Sequence, residues 1–89
     1  MATYLISYDL NMPGQDYEKL YEAIKDLGTW WHHLDSTWII KYNGTAKDIR
    51  DTLKPHLDSN DDLLVVKLTG EGAWKGFSDK DSQWLKNNL

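Results

Sequence analysis

The sequence predicts one α+β domain in which an antiparallel sheet carries two helices on one face. Four stretches are rich in β-branched and aromatic residues, two others place apolar residues at helical spacing, and their order is strand, helix, strand, strand, helix, strand. A chain of 89 residues with 40% hydrophobic and 12% aromatic content fits a single domain with a modest core.

The first strand is predicted within residues 3–11, Thr-Tyr-Leu-Ile-Ser-Tyr-Asp-Leu-Asn. Side chains alternate along a strand, which places Tyr4, Ile6 and Tyr8 on one face and Leu5, Ser7 and Asp9 on the other. Asp9 then lies at the carboxyl end of the strand, before a loop over residues 10–14 that contains Pro13 and Gly14. Because strand ends beside loops often carry function, Asp9 is a candidate site residue.

The first helix is predicted from an apolar stripe that ends at Gly28, a residue typical of helix termini: Tyr17, Leu20, Tyr21, Ile24 and Leu27. A hairpin follows, with strands over residues 29–34 and 37–42. Both strands are rich in Trp, Ile, Thr and Tyr, and only Asp35 and Ser36 separate them.

The second helix is predicted to begin after Thr45, which forms a capping box with Asp48. It should end near Lys54, because Pro55 disfavours a helical residue before it. A fourth strand is predicted over residues 62–69. Beyond it, residues 73–77 are predicted as a short extra strand, and Ser78 with Asp81 is predicted to cap a short C-terminal turn.

This order is the split β-α-β-β-α-β arrangement of the ferredoxin-like fold, with residues 3–69 as the core and residues 70–89 as a short C-terminal extension. The predicted strands are apolar on both faces, whereas two helices cover only one. A symmetric homodimer that stacks sheet on sheet would cover the other face. The C-terminal extension, with Trp74, Phe77 and Trp84, is the alternative cover.

Composition and charge exclude several classes of site. Cysteine is absent, which excludes disulfides and thiolate chemistry. The first residues show neither a basic region nor a long apolar run, so we expect a cytoplasmic protein without a signal peptide or a membrane span. The net charge is −4 and Arg50 is the one arginine, so any binding of RNA or DNA must depend on a local basic patch or a bound cation.

Lys47, Arg50 and Lys54 form such a patch, a basic stripe along the second helix that is a candidate for binding phosphates. The alternative is a solvated helix face, partly neutralised by Asp48 and Asp51. His32 and His33 point to opposite faces of their strand, so we expect packed histidines rather than a metal site. The five tryptophans would either stack on bases or fill the core and interfaces.

The chain resembles a known family in its first strand ending at Tyr8-Asp9, its split order, and Ser36-Thr37-Trp38 at the start of the third strand. These features are similar to the CRISPR-associated small adapter family, the second of the numbered Cas proteins, and to VapD-like endoribonucleases. Standalone bacterial relatives labelled SinR-like resemble it further, in Tyr-Asp-Leu-Asn at residues 8–11 and Leu-Asp-Ser-Thr-Trp at residues 34–38.

The resemblance implies a homodimer in which the two copies of Asp9 approach each other and hold a divalent cation, with Asp9 and Ser36 as the catalytic residues. Two carboxylates brought together repel unless a proton or a cation such as Mg²⁺ lies between them. The expected function is a nucleic-acid-associated homodimer with Mg²⁺-dependent endoribonuclease or phosphodiesterase activity. The alternative is a non-catalytic dimeric scaffold or partner-binding module of the same fold, in which Asp9 only bonds the following loop.

Overall fold

The computed structural model describes residues 1–11 and 17–89. Within them the chain forms, in order, β1 (Ala2–Asp9), α1 (Glu18–Asp26), β2 (Trp30–Leu34), β3 (Thr37–Tyr42), α2 (Ala46–Leu53), β4 (Asp62–Lys67) and α3 (Asp79–Asn88). A 3-10 turn, Lys54–His56, follows α2. The fold is α+β, as predicted. Of the predicted loop over residues 10–14, residues 12–14 lie outside the described part.

The four strands form one antiparallel sheet in the order β2-β3-β1-β4. β1 is central, so Ile6 lies opposite Trp38 of β3 on one side and Val65 of β4 on the other. β4 is an edge strand. The same register brings the last residue of β1, Asp9, opposite the first residue of β4, Asp62.

The first face of the sheet, which carries Tyr4, Ile6 and Tyr8, is covered by α1 and α2. The helices contribute four fully buried side chains to this core, Leu20, Ile24, Ile49 and Leu53, which pack with Trp38 and Ile40 of β3. The alternation predicted for β1 is therefore correct.

The second face of the sheet, which carries Thr3, Leu5, Ser7 and Asp9, is partly covered by the C-terminal segment (residues 70–89). Leu85 of α3 packs on Trp31 of β2 and Ile39 of β3, and a ring of half-buried residues surrounds them: Leu68, Trp74, Phe77, Trp84 and Leu89. The Thr3 hydroxyl donates a hydrogen bond to the Asn88 carbonyl. The segment therefore provides the cover over β2 and β3 that was the alternative to a dimer.

Two predictions for this segment were wrong. Residues 73–77 form no strand, because Trp74 and Phe77 both pack toward the sheet and Gly76 has a φ of 92°, outside the extended region. The predicted short turn is a helix of ten residues, α3. Its predicted N-cap is correct, since the Ser78 hydroxyl accepts a hydrogen bond from the Asp81 amide at 3.2 Å.

The C-terminal segment leaves the β4 side of the second face uncovered. Leu64 is 57% exposed and Val66 38% exposed. Their partners in register on β1 are Ser7 and Leu5. An apolar strip therefore lies open beside the edge of the sheet.

Local signals fix the ends of both early helices. Thr45 and Asp48 form the predicted capping box, with hydrogen bonds of 3.1 Å in both directions, and α2 ends at Leu53 as Pro55 predicts. Gly28 follows the end of α1 as predicted, but for another reason. It does not adopt a positive φ, and a Cβ there would overlap the carbonyl oxygen of Lys41.

Candidate functional site

The candidate site lies at the end of the sheet where β1 stops and β4 begins. Asp9 and Asp62 are both exposed and lie directly opposite each other, so their carboxylates share the second face. They border a shallow cavity of about 260 Å³ that Ser7 and Leu64 also line. We call Asp9 and Asp62 the acidic pair.

Like charges placed directly opposite on neighbouring strands repel. The cavity offers only oxygen ligands: the carboxylates of Asp9 and Asp62, the nearby Ser7 hydroxyl, and water from the solvent. Mg²⁺ prefers such ligands. The described residues contain no group of three or more His, Cys, Asp or Glu side chains arranged to hold a metal ion. Since Mg²⁺ usually keeps several waters and uses one or two protein carboxylates, the acidic pair fits such an ion.

Ser36 lies at the same end of the sheet. It is exposed in the two-residue turn between β2 and β3, and its carbonyl oxygen accepts a hydrogen bond of 3.1 Å from the Tyr8 amide. This hydrogen bond therefore continues the pairing of β1 with the hairpin as far as Tyr8, the residue before Asp9. Its side chain has the access to solvent that a functional hydroxyl needs.

Lys47 and Arg50 of the basic stripe are exposed on α2, and Lys54 is exposed at the start of the 3-10 turn that follows it. Lys47 and Arg50 both bind the Asp51 carboxylate, at 3.0 Å, and hydrogen bonds from Lys47 and then Arg50 lower the pKa of Asp51. The stripe is thus partly neutralised, although the predicted partner Asp48 caps the helix instead.

The basic stripe runs along the β4 edge toward the acidic pair. Lys47 and Arg50 line a groove with Leu64 and Val65, in the middle of β4. Arg50 and Lys54 line the next groove, together with Asp61, which immediately precedes β4. The stripe therefore ends beside Asp61, whereas the Asp62 side chain lies on the face of the sheet opposite to α2.

Asp61 ties the loop before β4 to Asn11, two residues after the end of β1. Its carboxylate accepts hydrogen bonds from the Asn11 amide at 2.8 Å, the Asp58 amide at 2.8 Å and the Tyr17 hydroxyl at 2.9 Å. Desolvation by itself would raise the pKa of Asp61, but these hydrogen bonds outweigh it and hold the pKa below its usual value. This network fixes the backbone on both sides of the acidic pair.

The two histidines pack on opposite faces, as predicted. His32 stacks on Trp38 with 3.7 Å between ring centroids, and His33 Nδ1 lies 3.0 Å from the Asp81 carboxylate of α3. Most of the tryptophans are packed against other residues, but Trp30 is 42% exposed with the Lys25 ammonium 5.2 Å from its ring. The histidines therefore contribute to packing.

Asp62 is the candidate residue that the sequence interpretation missed, although a signal for it was present. In the ferredoxin-like arrangement that the sequence predicts, the first and fourth strands are antiparallel neighbours, so the last residue of one can face the first residue of the other. Asp9 and Asp62 occupy those positions. An alignment of the first strand with the fourth, end to start, would have placed Asp62 opposite Asp9.

No protein-family model matches the chain, and no solved structure matches it. None of the helices in residues 1–11 and 17–89 has the length and apolar character needed to cross a membrane. The class that fold and site define is a small α+β domain with an acidic pair at one end of its sheet and a basic stripe along one edge.

Proposed function

We propose that this protein is a ferredoxin-like, nucleic-acid-associated homodimer that binds Mg²⁺ at Asp9 and acts as a metal-dependent endoribonuclease or phosphodiesterase. The observation that carries the proposal is the register pairing of Asp9 with Asp62 at an exposed sheet end. A divalent cation between the two carboxylates would relieve their repulsion, so binding of a cation at the acidic pair is favourable. The strand order β2-β3-β1-β4 supports the ferredoxin-like assignment.

In this proposal each part of the site has one task. Asp9 and Asp62 hold the ion, and the bound Mg²⁺ supplies charge stabilisation for a phosphodiester and a more acidic water. Ser36 orients the substrate from the neighbouring turn. The basic stripe holds phosphates along the β4 edge, where the two grooves beside Arg50 extend from Val65 to Asp61, the residue before Asp62.

The proposed dimer uses the uncovered strip of the second face. Leu64 and Val66 are exposed there, and Asp9 lies at its end. Two copies related by a two-fold axis near the end of this strip that Asp9 occupies would bring their Asp9 carboxylates toward each other. A light-scattering mass of a dimer that becomes a monomer in Leu64→Lys would support this arrangement.

The deciding experiment compares Asp9→Asn, Asp62→Asn and the control Asp26→Asn, which changes an exposed carboxylate at the end of α1. Backbone amide shifts are followed by two-dimensional NMR during a Mg²⁺ titration, and cleavage of a labelled single-stranded RNA and a DNA duplex is measured with and without a chelator. We expect both site variants to weaken Mg²⁺ binding at least tenfold and abolish cleavage, while Asp26→Asn behaves as wild type.

Cleavage that survives in a clean Asp9→Asn preparation would refute the proposal. A dimer that ignores Mg²⁺ and both nucleic acids would instead favour the alternative, a non-catalytic dimeric scaffold or partner-binding module.

A further inference from the structure

An exposed aromatic surface lies on β2, the edge strand on the side of the sheet opposite to β4. It consists of Trp30 and His32, and both rings contact Trp38 of the neighbouring strand β3. Trp30 is 42% exposed, and His32 is exposed as well. These two residues, which we call the β2 platform, belong neither to the acidic pair nor to the basic stripe.

The ring of His32 is held in one position by its neighbours. It stacks on Trp38 with 3.7 Å between ring centroids and 9° between ring planes, and its Nε2 lies 3.3 Å from the Asp35 carbonyl oxygen. Trp38 is itself 1% exposed, and its Nε1–H donates a hydrogen bond to the Tyr8 hydroxyl. One face of the His32 ring therefore rests on a rigid support, and the other face is left to solvent. A ring that is already immobilised loses little entropy when a second ring stacks on it.

The charges around the β2 platform nearly cancel. The Lys25 ammonium lies 5.2 Å from the centroid of the Trp30 ring, which places one cation beside the platform. Glu22 and Asp26 are exposed on the same helix and offset that charge. A ligand would therefore be held here by ring stacking, with little contribution from its phosphates.

The β2 platform adjoins the turn that carries Ser36. Asp35, which His32 contacts, is the other residue of this turn, and the Ser36 carbonyl accepts a hydrogen bond from the Tyr8 amide at the end of β1. His32 lies on the first face, over Trp38, whereas the acidic pair lies on the second. A single strand that contacts both must therefore pass around the end of the sheet at Ser36.

We propose that the outer face of the His32 ring, beside Trp30, is a stacking site for one unpaired base of a single-stranded nucleic acid. Every base has a planar face that can stack on an aromatic ring, whereas the bases of a duplex are already covered by their neighbours. The inference rests on the nucleic-acid association of the proposed function, and it adds where a base is held.

The test measures binding apart from cleavage, by fluorescence anisotropy of a labelled oligoadenylate in the presence of a chelator. The strand has about eight nucleotides, within the range of single-strand sites, and is made as RNA and as DNA. A blunt-ended RNA duplex and an abasic strand with the same phosphates are the matched probes. We expect saturable binding of both single strands and about tenfold weaker binding of the duplex and the abasic strand, the ratio of one stacked base.

Three variants at β2 separate the ring from its other contacts. His32→Ala removes the ring, His32→Phe keeps a ring without the nitrogen that faces Asp35, and His33→Ala removes the same side chain from the opposite face of the strand. We expect His32→Ala to weaken binding of the single strands about 5- to 100-fold. His32→Phe should restore most of the affinity, and His33→Ala should bind as wild type.

The dependence on salt separates stacking from attraction between charges. The loss caused by His32→Ala should be the same at about 50 mM and about 200 mM salt, because stacking releases no counterions. The loss caused by Arg50→Gln, in the basic stripe, should shrink as the salt concentration rises. In wild type, two-dimensional NMR should show the His32 ring protons moving upfield as a base stacks on them, a signal that needs no variant to fold.

The inference would be overturned by the absence of saturable binding, by equal affinities for the single and the abasic strands, or by His32 ring signals that do not move at saturation. Undiminished binding by His32→Ala, together with cleavage that Asp9→Asn abolishes, would reject the stacking site and leave the proposed function intact. Binding that His32→Ala weakens, without any Mg²⁺-dependent cleavage by wild type, would support the stacking site and reject the proposed catalysis.

Discussion

The Asp61 carboxylate links the loop before β4 to the segment after β1, on either side of the acidic pair. Three donors converge on it from the end of β1, from the start of α1 and from its own loop. These bonds favour the ionised form, which is why the pKa of Asp61 lies below its usual value although desolvation acts in the other direction. Its contribution to stability must therefore depend on pH.

We expect Asp61→Asn to lower the free energy of unfolding at pH 7, because the amide turns a donor toward groups that are themselves donors. The folded pKa is lower than the unfolded value of about 3.9, so the stabilisation is complete above that value and is lost as the pH falls through the folded pKa. Denaturant melts at pH 7 and pH 2.5 measure the difference. Asp58→Asn is the control, and an equal loss at both pH values would contradict this role.

A second prediction for single residues concerns the buried hydrogen bond between Tyr8 and Trp38. The Trp38 Nε1–H donates to the Tyr8 hydroxyl at 2.9 Å, with both residues buried. Tyr8→Phe removes the acceptor and leaves the donor unpaired, so we expect a loss of about 1–3 kcal/mol in the free energy of unfolding. Tyr42→Phe, at a half-buried position, is the matched control.

The same pair predicts a response to alkaline pH. Burial raises the pKa of Tyr8, while the hydrogen bond from Trp38 opposes the shift. A raised folded pKa stabilises the protein below the unfolded value of about 10, and that contribution is lost as the pH rises through the folded pKa. Wild type should therefore lose stability above pH 10 more steeply than Tyr8→Phe. Parallel pH profiles of the two proteins would show that Tyr8 does not carry the effect.

At the scale of elements, α2 depends on its cap. It has eight residues, and helices this short are marginal without terminal hydrogen bonds or packing. We expect Thr45→Ala to cost about 1 kcal/mol, since it breaks the capping box. Thr52→Ala makes the same change within the helix, where the Thr52 hydroxyl bonds the Asp48 carbonyl, and it should be neutral or slightly stabilising. Chemical denaturation of both variants checks this, and equal losses would argue against the cap.

Local signals also explain which elements were predictable. The capping box fixed the start of α2, Pro55 its end, and the polar pair Asp35-Ser36 the hairpin turn, because each acts through neighbours in sequence. α3 was underestimated because its stability depends on Leu85 meeting Trp31 and Ile39, which are distant in sequence. The pairing of Asp62 with Asp9 is likewise a matter of register between distant strands.

For the whole molecule, the sheet lies between two unlike layers. α1 and α2 cover the first face completely along the centre of the sheet, whereas the C-terminal segment covers the second face over β2 and β3 and leaves the β4 side open. The uncovered strip is consequently the place for the proposed dimer contact, and the covered part forms an apolar groove of about 320 Å³ between the sheet and the C-terminal segment. The C-terminal segment therefore decides how much of the second face a partner can reach.

This division predicts a difference between two leucines on the same side of the sheet. Leu85, 2% exposed, joins α3 to Trp31 and Ile39, so Leu85→Ala should lower the free energy of unfolding by about 3 kcal/mol through lost burial and an enlarged cavity. Leu34 is 47% exposed at the end of β2, so Leu34→Ala should lower the free energy of unfolding by less than about 1 kcal/mol. Urea unfolding measures both. Equal, small losses would mean that the C-terminal segment is not part of the cooperative fold, and the second face would then be available to a partner along its whole width.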